Sequence, residues 1–376
     1  MTAPRRDRRC GRHARRVVAT ACLLALAAVA TALAAGHWRA SGKLHQARFL
    51  AAAALLPDGR VLITGGFQHT MLASTEIYDP SQGRWSVVAP FFSPRFAHTA
   101  TLLGDGSVLI AGGSNLTVGY VASAERYLPA TDTWVAAGQL ATGRDNHTAT
   151  LLQDGRVLVA GGLNNFGPAL KSAEIYDPTT NAWTAAASMT TARYHQTATL
   201  LPDGKVLVVG GEQRFGSGNI KLLSGATLYD PASNRWTSAG SLPYPLANQT
   251  ATLLKNGRVL VVGGGDREPG FTARAEIYNP ARNRWSAAAR LPKPRAFAAT
   301  VLLASGRVLV AGGINDHGAR ADTELDDSAR NRWTSAGALA PAYREAAITL
   351  PNGKALLIGG QTYVGKPLAT TSLYSP

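Results

Sequence analysis

Side chains that could bind a ligand recur at two adjacent positions, nine and eight residues before a glycine of a predicted turn. The first position holds Leu50, Ala97, Asn146, His195, Asn248, Phe297 and Arg344, and the second holds Ala51, His98, His147, Gln196, Gln249, Ala298 and Glu345. Amide, imidazole, guanidinium and carboxyl groups that converge on one concave place can bind and orient a ligand. The pattern predicts a ligand site formed by Asn146, His195, Gln196, Asn248, Arg344 and Glu345, with His98 and His147 beside them.

Three further candidates lie in segments that differ from one part of the chain to the next. Arg214 belongs to the longest of them, EQRFGSGNIKLLS, and Asp266 and Arg267 belong to GDREPGFTA. Variable loops on a rigid scaffold commonly carry binding residues. We therefore expect these three side chains to contribute to the same face as the recurrent polar positions.

Catalytic chemistry finds little support in the residue pattern. His98 and His147 occupy a position that Gln also fills, so a packed or hydrogen-bonded histidine is favoured over a metal ligand. No Ser-His-Asp order, phosphate-binding loop or zinc signature is present. We predict no metal and no cofactor, and a binding role rather than catalysis. A close acid and base pair at the site, for instance Glu345 beside His195 or Arg344, would instead favour an enzyme.

The elements that position these residues repeat seven times. Each copy contains a Gly pair, and successive pairs are 47 to 53 residues apart: Gly65-Gly66, Gly112-Gly113, Gly161-Gly162, Gly210-Gly211, Gly263-Gly264, Gly312-Gly313 and Gly359-Gly360. Within a copy, two apolar runs are joined by Asp-Gly or a relative, which predicts a two-residue hairpin. A run such as AEIYDP and a run beginning at Trp follow. Four antiparallel strands per copy predict an all-β, seven-bladed propeller.

The ordered recurrence of G-G, Y-D-P and N-x-W resembles the kelch repeat over residues 37 to 376. The resemblance implies the propeller fold of the galactose oxidase central domain, of sialic acid mutarotases and of many binding modules. Galactose oxidase relatives use copper with His and Tyr ligands and a cysteine crosslinked to Tyr. Here Cys10 and Cys22 are the only cysteines, which argues against that cofactor. A small carbohydrate-processing enzyme of the mutarotase type remains the alternative to a binding module.

The register of the repeats predicts how the ring closes. The seventh copy ends at Pro376 without a Trp strand, while Trp38 stands 21 residues before Gly59. The same spacing separates Trp85, Trp134, Trp183, Trp236 and Trp285 from the corresponding Gly of the next copy. The N-terminal strand around Trp38 is therefore predicted to complete the last blade. Copy six has Asp326 and Ser328 where the others have Tyr and Pro, so its third strand is expected to be short or frayed. Arg48, Arg95, Arg144, Arg193 and Arg295 recur at one position and are interpreted as structural, pairing with loop carbonyls.

The N-terminus predicts export. Seven Arg precede an uncharged stretch at 17 to 35, so residues 1–35 are predicted to be an apolar helix that serves as a signal peptide or as a retained signal anchor. The propeller, residues 36–376, is then expected outside the cytoplasm. Of the net charge of +15, +9 lies outside the first 16 residues. The expected partner is a protein or carbohydrate, and the positive charge favours an anionic polysaccharide. We expect no binding to nucleic acid, and contact with a membrane only through an uncleaved N-terminal segment.

Overall fold

Seven four-stranded antiparallel sheets form a closed ring around a central channel. The computed structural model describes residues 36–164, 167–215, 219–265, 270–328 and 330–376. The first strand of each sheet, or blade, lies beside the first strand of the next, and that of blade 7 lies beside that of blade 1. The predicted seven-bladed propeller is confirmed, with the first strands surrounding the channel and the fourth strands outermost.

The blades have nearly uniform strand bounds. Blade 1 contains Ala52–Leu55, Val61–Thr64, Thr75–Asp79 and Arg84–Val88. Blade 2 contains Thr99–Leu102, Val108–Ala111, Ser123–Leu128 and Thr133–Gln139. Blade 3 contains Thr148–Leu151, Val157–Ala160, Ala173–Asp177 and Ala182–Ala186. Blade 4 contains Thr197–Leu200, Val206–Val209, Gly225–Asp230 and Arg235–Ser241. Blade 5 contains Thr250–Leu253, Val259–Val262, Ala275–Asn279 and Arg284–Ala288. Blade 6 contains Ala299–Leu302, Val308–Ala311, Asp322–Asp327 and Arg332–Ala338. Blade 7 contains Ala346–Thr349, Ala355–Ile358, Thr370–Ser375 and, as its fourth strand, His37–Lys43.

Smaller elements decorate this frame. Three short hairpins extend from loops: Ser114–Asn115 with Gly119–Tyr120, Glu212–Phe215 with Asn219–Leu222, and Ile314–Asn315 with Gly318–Ala319. A 3₁₀ turn spans Pro280–Arg282. The described ranges contain no α-helix, and no helix within them is long and apolar enough to cross a membrane. The helix predicted within residues 1–35 lies outside the described residues.

The N-terminal strand closes the ring as predicted. His37–Lys43 pairs antiparallel with Thr370–Ser375, and Trp38 stands opposite Tyr374. The Trp38 indole Nε1 also donates to Thr323 Oγ1 of blade 6 at 3.0 Å. The first strand of the folded region therefore ties the two ends of the propeller together.

Tryptophan and tyrosine fill the widening space between blades. In all seven blades the Trp of the fourth strand donates its indole N–H to an oxygen of the preceding blade, at 2.7 to 3.4 Å. In six blades the Tyr of the third strand packs on the Trp opposite it, with ring centroids 5.0 to 5.2 Å apart. The recurrence of these residues is thus explained by packing between blades.

Two local expectations are corrected. The first concerns the Asp-Gly turns, in which only the glycine has a positive φ, 76° to 86°. In blade 1, Gly59 N–H donates to Leu56 O, and Leu56 N–H donates to Arg60 O. The loop therefore has three residues and ends in a left-handed glycine, instead of two residues as predicted. The second concerns blade 6. Its third strand has six residues and is therefore not short, but it makes only three pairs with the second strand, the last of them at Leu325.

The recurrent arginines are structural, as predicted, and they are almost completely buried. Arg144 shows the arrangement: Nη1 donates to Gly161 O and Ser172 O, and Nη2 donates to Ser172 Oγ and, at 2.5 Å, to Glu174 Oε1. The same hydrogen bonds recur for Arg48 with Glu76 and for Arg95 with Glu125. Each arginine thereby fixes the loop that enters a blade to the second and third strands of that blade.

Candidate functional site

The first recurrent position forms a ring of residues at the mouth of the channel. All seven have positive φ, 47° to 59°. Starting from Ala97, each donates its backbone N–H to the carbonyl of the equivalent residue in the preceding blade, through Asn146, His195, Asn248 and Phe297 to Arg344, at 2.9 to 3.3 Å. We call these seven residues the mouth ring. The structure therefore places the predicted residues Asn146, His195, Asn248 and Arg344 together, on the face that carries the variable loops.

A polar cluster lies on the blade 4 side of the mouth ring. The Glu212 carboxylate Oε1 lies 3.3 Å from His195 Nδ1 and accepts a hydrogen bond from Asn248 Nδ2, also at 3.3 Å. Burial would raise the pKa of Glu212, but the hydrogen bonds from His195, Tyr194 and Asn248 together hold it below its ordinary value. Glu212 is therefore a carboxylate that can accept hydrogen bonds from a ligand.

A second carboxyl group lies beside this cluster. Asp145 is 5% exposed, and its Oδ2 accepts a hydrogen bond from Ser114 Oγ at 2.6 Å. Burial raises the pKa of Asp145, against the opposing effects of Ser114, Asn146 and His195. The blade 3 and blade 4 side of the mouth is thus rich in hydrogen-bond acceptors.

The opposite side of the mouth carries a cation on aromatic rings. The Arg344 guanidinium carbon lies 4.5 Å from the centre of the Phe297 ring and 5.7 Å from that of Tyr343. The His195 ring contacts Phe297 edge to face, with the two ring centroids 6.2 Å apart. Arg344 is partly buried, and its guanidinium has no hydrogen bond or ion pair with any described residue. The mouth therefore presents a guanidinium whose positive charge no described carboxylate neutralises.

The side chains at the second recurrent position lie in a different environment from those of the mouth ring. His98 and His147 are 6% and 7% exposed, and their Nε2 atoms bond Thr64 and Thr99 of the preceding blade. Gln196 and Gln249 donate to the carbonyls of Ala160 and Val209 in the same way. Burial lowers the pKa of His147 to about 3. These side chains are packed between blades and do not face the mouth.

The first glycine of each pair makes room for this layer. A Cβ on Gly112 would lie 2.6 Å from the His147 ring, and one on Gly161 would lie 2.7 Å from Gln196. Both glycines also have positive φ. The Gly pairs therefore serve the backbone and the contact between blades, as predicted, rather than a ligand.

Glu345 belongs to the same layer between blades. It approaches Gly312 of blade 6, and its Oε2 is buried without a hydrogen-bond partner among the described residues. Burial raises the pKa of Glu345 to about 8. The pairing of Glu345 with His195 or Arg344 that would have favoured an enzyme is absent from the described contacts, and Glu212 is the acid beside His195.

The loop candidates are only partly described. Arg214 lies in the short strand Glu212–Phe215, opposite Ile220. Asp266 and Arg267 lie outside the described residues. The sequence-based prediction missed Glu212, Asp145 and Tyr343, and one signal could have found them. In each blade the residue before the mouth ring pairs with the residue after the Gly pair, as Tyr194 does with Glu212.

The opposite face carries shallow clefts between neighbouring hairpins. One cleft of about 480 Å³ is lined by the Asp203 and Asn256 turns and by Pro280, and another of about 360 Å³ by the Asp58 and Asp105 turns and by Pro129. The clefts are formed by residues that repeat from blade to blade. They follow from the propeller itself, so we assign them no ligand.

Family models and solved structures show which known proteins this chain resembles. One kelch motif model matches residues 48–91, 146–190 and 249–292, and a second matches residues 192–243. No curated protein matches the sequence. A similar solved structure, described as a novel fungal alcohol oxidase with catalytic diversity among the AA5 family, in complex with copper, has a TM-score of 0.74 and 19% identity. The match covers 91% of this chain and 76% of that chain, and at this identity it shows the fold alone.

The fold and the motifs together define a ring of repeated blades with a variable loop face. The chain contains kelch repeats and is a seven-bladed kelch-type β-propeller.

The donor atoms at the mouth do not fit the copper of that structural neighbour. In the mouth ring, His195 is the only side chain of a type that commonly binds a metal, and its Nδ1 contacts Glu212. Within the described ranges no group of three or more His, Cys, Asp or Glu residues could hold a metal ion. We derive no copper chemistry for this chain.

Proposed function

We propose that the protein is an exported binding module that recognises a protein or carbohydrate ligand at the channel mouth. The observation that supports this most is the partly buried Arg344, which rests on Phe297 and Tyr343. It belongs to the same mouth ring as His195 and Asn248, which contact Glu212. A guanidinium held this way is available to an anionic or hydroxylated group of a ligand. The excess of basic residues would draw an anionic polysaccharide toward the protein.

Backbone conformation supports a role for the mouth beyond stability. Phe297 and Arg344 have positive φ, 52° and 59°, where Asn is tolerated far better. Asn146 and Asn248 show that the ring accepts Asn at this position. Strained residues that persist where an unstrained one would fit are typical of functional sites.

The loops around the mouth extend the proposed binding face. Of the nine exposed large hydrophobic residues within the described ranges, seven lie in these loops: Phe92, Leu116, Val118, Phe215, Ile220, Tyr363 and Val364. Apolar side chains at loop tips favour a macromolecular ligand over a free ion.

One observation favours a second candidate function, a small carbohydrate-processing enzyme. His195 Nδ1 and Glu212 Oε1 are 3.3 Å apart in the open mouth, and such a pair could transfer a proton to or from a sugar hydroxyl. Turnover of a bound sugar that is lost in Glu212→Gln, with binding retained, would identify the enzyme.

The binding proposal is tested with a double variant, His195→Asn and Arg344→Asn, which gives two ring positions the residue found in blades 3 and 5. A thermal-shift screen of the parent against sugars and cell-envelope fragments supplies the ligand. We expect the double variant to lose affinity by about 1 to 3 kcal/mol per contact residue. The control is Lys205→Asn with Arg258→Asn on the opposite face. Unchanged binding by the double variant, or hydrogen-exchange protection confined to the Asp-Gly turns, would refute this site.

Export is a separate proposal that rests on residues 1–35. Cell fractionation of the native host should find the propeller outside the cytoplasm. Intact precursor in the cytoplasm at steady state would contradict it.

A further inference from the structure

One buried arginine differs from its equivalents in lacking a carboxylate. Arg193 in blade 4 is 2% exposed. Its Nη1 donates to Gly210 O and Gly225 O, as in the other blades, but its Nη2 has no hydrogen-bond partner among the described residues. Burial lowers the pKa of Arg193 to about 10, so the guanidinium remains charged at neutral pH.

Two substitutions within the repeat explain this difference. Thr227 pairs with Val208 and Ser238, which is the register that Glu174 has in blade 3. Gly225 likewise stands where blade 3 has Ser172, whose Oγ accepts from Arg144 Nη2. Blade 4 has therefore lost both side-chain acceptors and kept the cation.

A cavity occupies the place of the missing side chains. It has a volume of about 220 Å³ and is lined by Arg193, Gly225 and Thr227, with Thr190, Thr191 and Ser241 around them. Arg193 is the only charged residue in its lining. The Thr227 Oγ1 is buried without a hydrogen-bond partner among the described residues.

The other blades show which group fits there. In blades 1 to 3 one carboxylate oxygen accepts from the arginine Nη2 at 2.5 to 2.6 Å. The other accepts a backbone N–H of the loop that enters the blade, from Phe92 to Glu125 and from Ala141 to Glu174, both at 2.7 Å. Thr190 stands at the equivalent loop position, three residues before Arg193. Donors for both oxygens of a carboxylate are thus in place in blade 4.

We propose that the blade 4 cavity is a binding site for a small carboxylate, whose two oxygens take the positions of the Glu side chain in blades 1 to 3. The single cation and the volume favour a monocarboxylate over phosphate, whose second charge would have no cationic partner in the lining. An acidic side chain of a partner protein shares this chemistry, and the test distinguishes that source from a free small molecule.

The test uses two variants taken from the repeat itself. Thr227→Glu restores the carboxylate of blades 1 to 3, and Arg193→Leu copies blade 5, where Leu246 replaces the arginine. Thr184→Glu adds the same charge on the exposed fourth strand of blade 3 and is the control. The Kd of sodium acetate is measured by calorimetric titration at constant ionic strength, with chloride and phosphate as comparison anions. A glutamate-rich peptide separates a partner's side chain from a free carboxylate.

We expect acetate to bind the parent and the Thr184→Glu control at least tenfold more tightly than chloride or phosphate does. Its affinity should fall at least tenfold in both Thr227→Glu and Arg193→Leu. Thr227→Glu should also unfold at a higher urea concentration than the parent, which shows that the variant is folded and that the cavity accepts a carboxylate. Equal acetate binding by parent and Thr227→Glu, no acetate binding by the parent, or tighter binding of phosphate or of the peptide would each overturn the proposal. None of these variants alters the mouth ring, so the outcome is independent of the proposed mouth site.

Discussion

The strength of the buried Arg144–Glu174 ion pair can be measured by a double-mutant cycle, and the residue pair of its double variant already occurs naturally in blade 7. Blade 7 has Ala342 and Ser372 at the two positions, so the double variant Arg144→Ala with Glu174→Ser copies a natural blade. Arg144→Ala alone leaves Glu174, which is 4% exposed, with a backbone N–H from Ala141 as its remaining hydrogen-bond donor. Removing one partner of a buried ion pair costs about 3 to 5 kcal/mol.

The double variant no longer contains the uncompensated charge, so its loss should be smaller than the sum of the two single losses by about 1 to 3 kcal/mol. The hydrogen bonds from Arg144 to Gly161 O and Ser172 O are missing in both variants that lack the arginine, and they cancel in the cycle. Stability is measured by urea denaturation with tryptophan fluorescence, and calorimetry checks that the transition is two-state.

An exposed pair of the same chemistry provides the control. Arg156 and Asp154 are 37% and 44% exposed and 2.7 Å apart, and Arg156→Ala should cost less than about 1 kcal/mol because solvent screens this pair. Additive losses within about 0.5 kcal/mol in the buried cycle, or equal losses for Arg144→Ala and Arg156→Ala, would show that burial does not determine the strength of these pairs.

Three further predictions concern ring closure, the mouth and the layer between blades. A chain that begins at residue 45 should be less stable than one that begins at residue 36 by about 3 kcal/mol or more, because the Trp38 strand and its packing are lost; equal urea midpoints would contradict the proposed importance of closure. Arg344→Asn should stabilise the fold by about 1 kcal/mol, since it relieves a positive φ and removes an unpaired, partly buried cation, and a measured loss of stability would count against this reading of the mouth. Burial raises the pKa of Glu345 to about 8, so the folded state holds this proton more tightly than the unfolded chain, and stability should fall as pH rises from about 4.5 to 8. Glu345→Gln should flatten that dependence, as Gln196 and Gln249 occupy the same position, and equal pH profiles for parent and variant would refute the assignment.

Most of the propeller could be predicted because its stability depends on features that recur in all or nearly all copies. The Gly pair, the Tyr and the Trp recur since each blade meets its neighbour through the same contacts, and the constant spacing of Trp38 from Gly59 was sufficient to predict the closing strand. The type of the Asp-Gly turn was not predictable from the dipeptide, because a three-residue loop with a left-handed glycine also uses Asp-Gly.

The site was predicted less completely, for a geometric reason. Asn146 and His147 are adjacent in sequence, yet the first faces the channel mouth and the second packs between blades. A positive φ at the first residue interrupts the alternation that governs a regular strand, so the sequence does not reveal which of the two positions is exposed. Glu212 was missed because it lies 17 residues from His195 in sequence, and the two side chains meet only because Tyr194 pairs with Glu212 in the folded blade.

Blade 4 departs from the repeat more than a structural role requires. It lacks two acceptors around Arg193, and it carries His195 on the loop that enters the blade and Glu212 directly after the Gly pair that follows the second strand. Arg193 and His195 are two residues apart, and the left-handed conformation of His195 sends the chain toward the mouth while Arg193 remains inside the blade. Substitutions that accumulated without function would be expected to fill the 220 Å³ cavity with a larger side chain, because an unpaired buried cation and an unfilled space both destabilise the fold. The retention of both in the blade that also carries Glu212 is therefore the strongest structural reason to test blade 4 first.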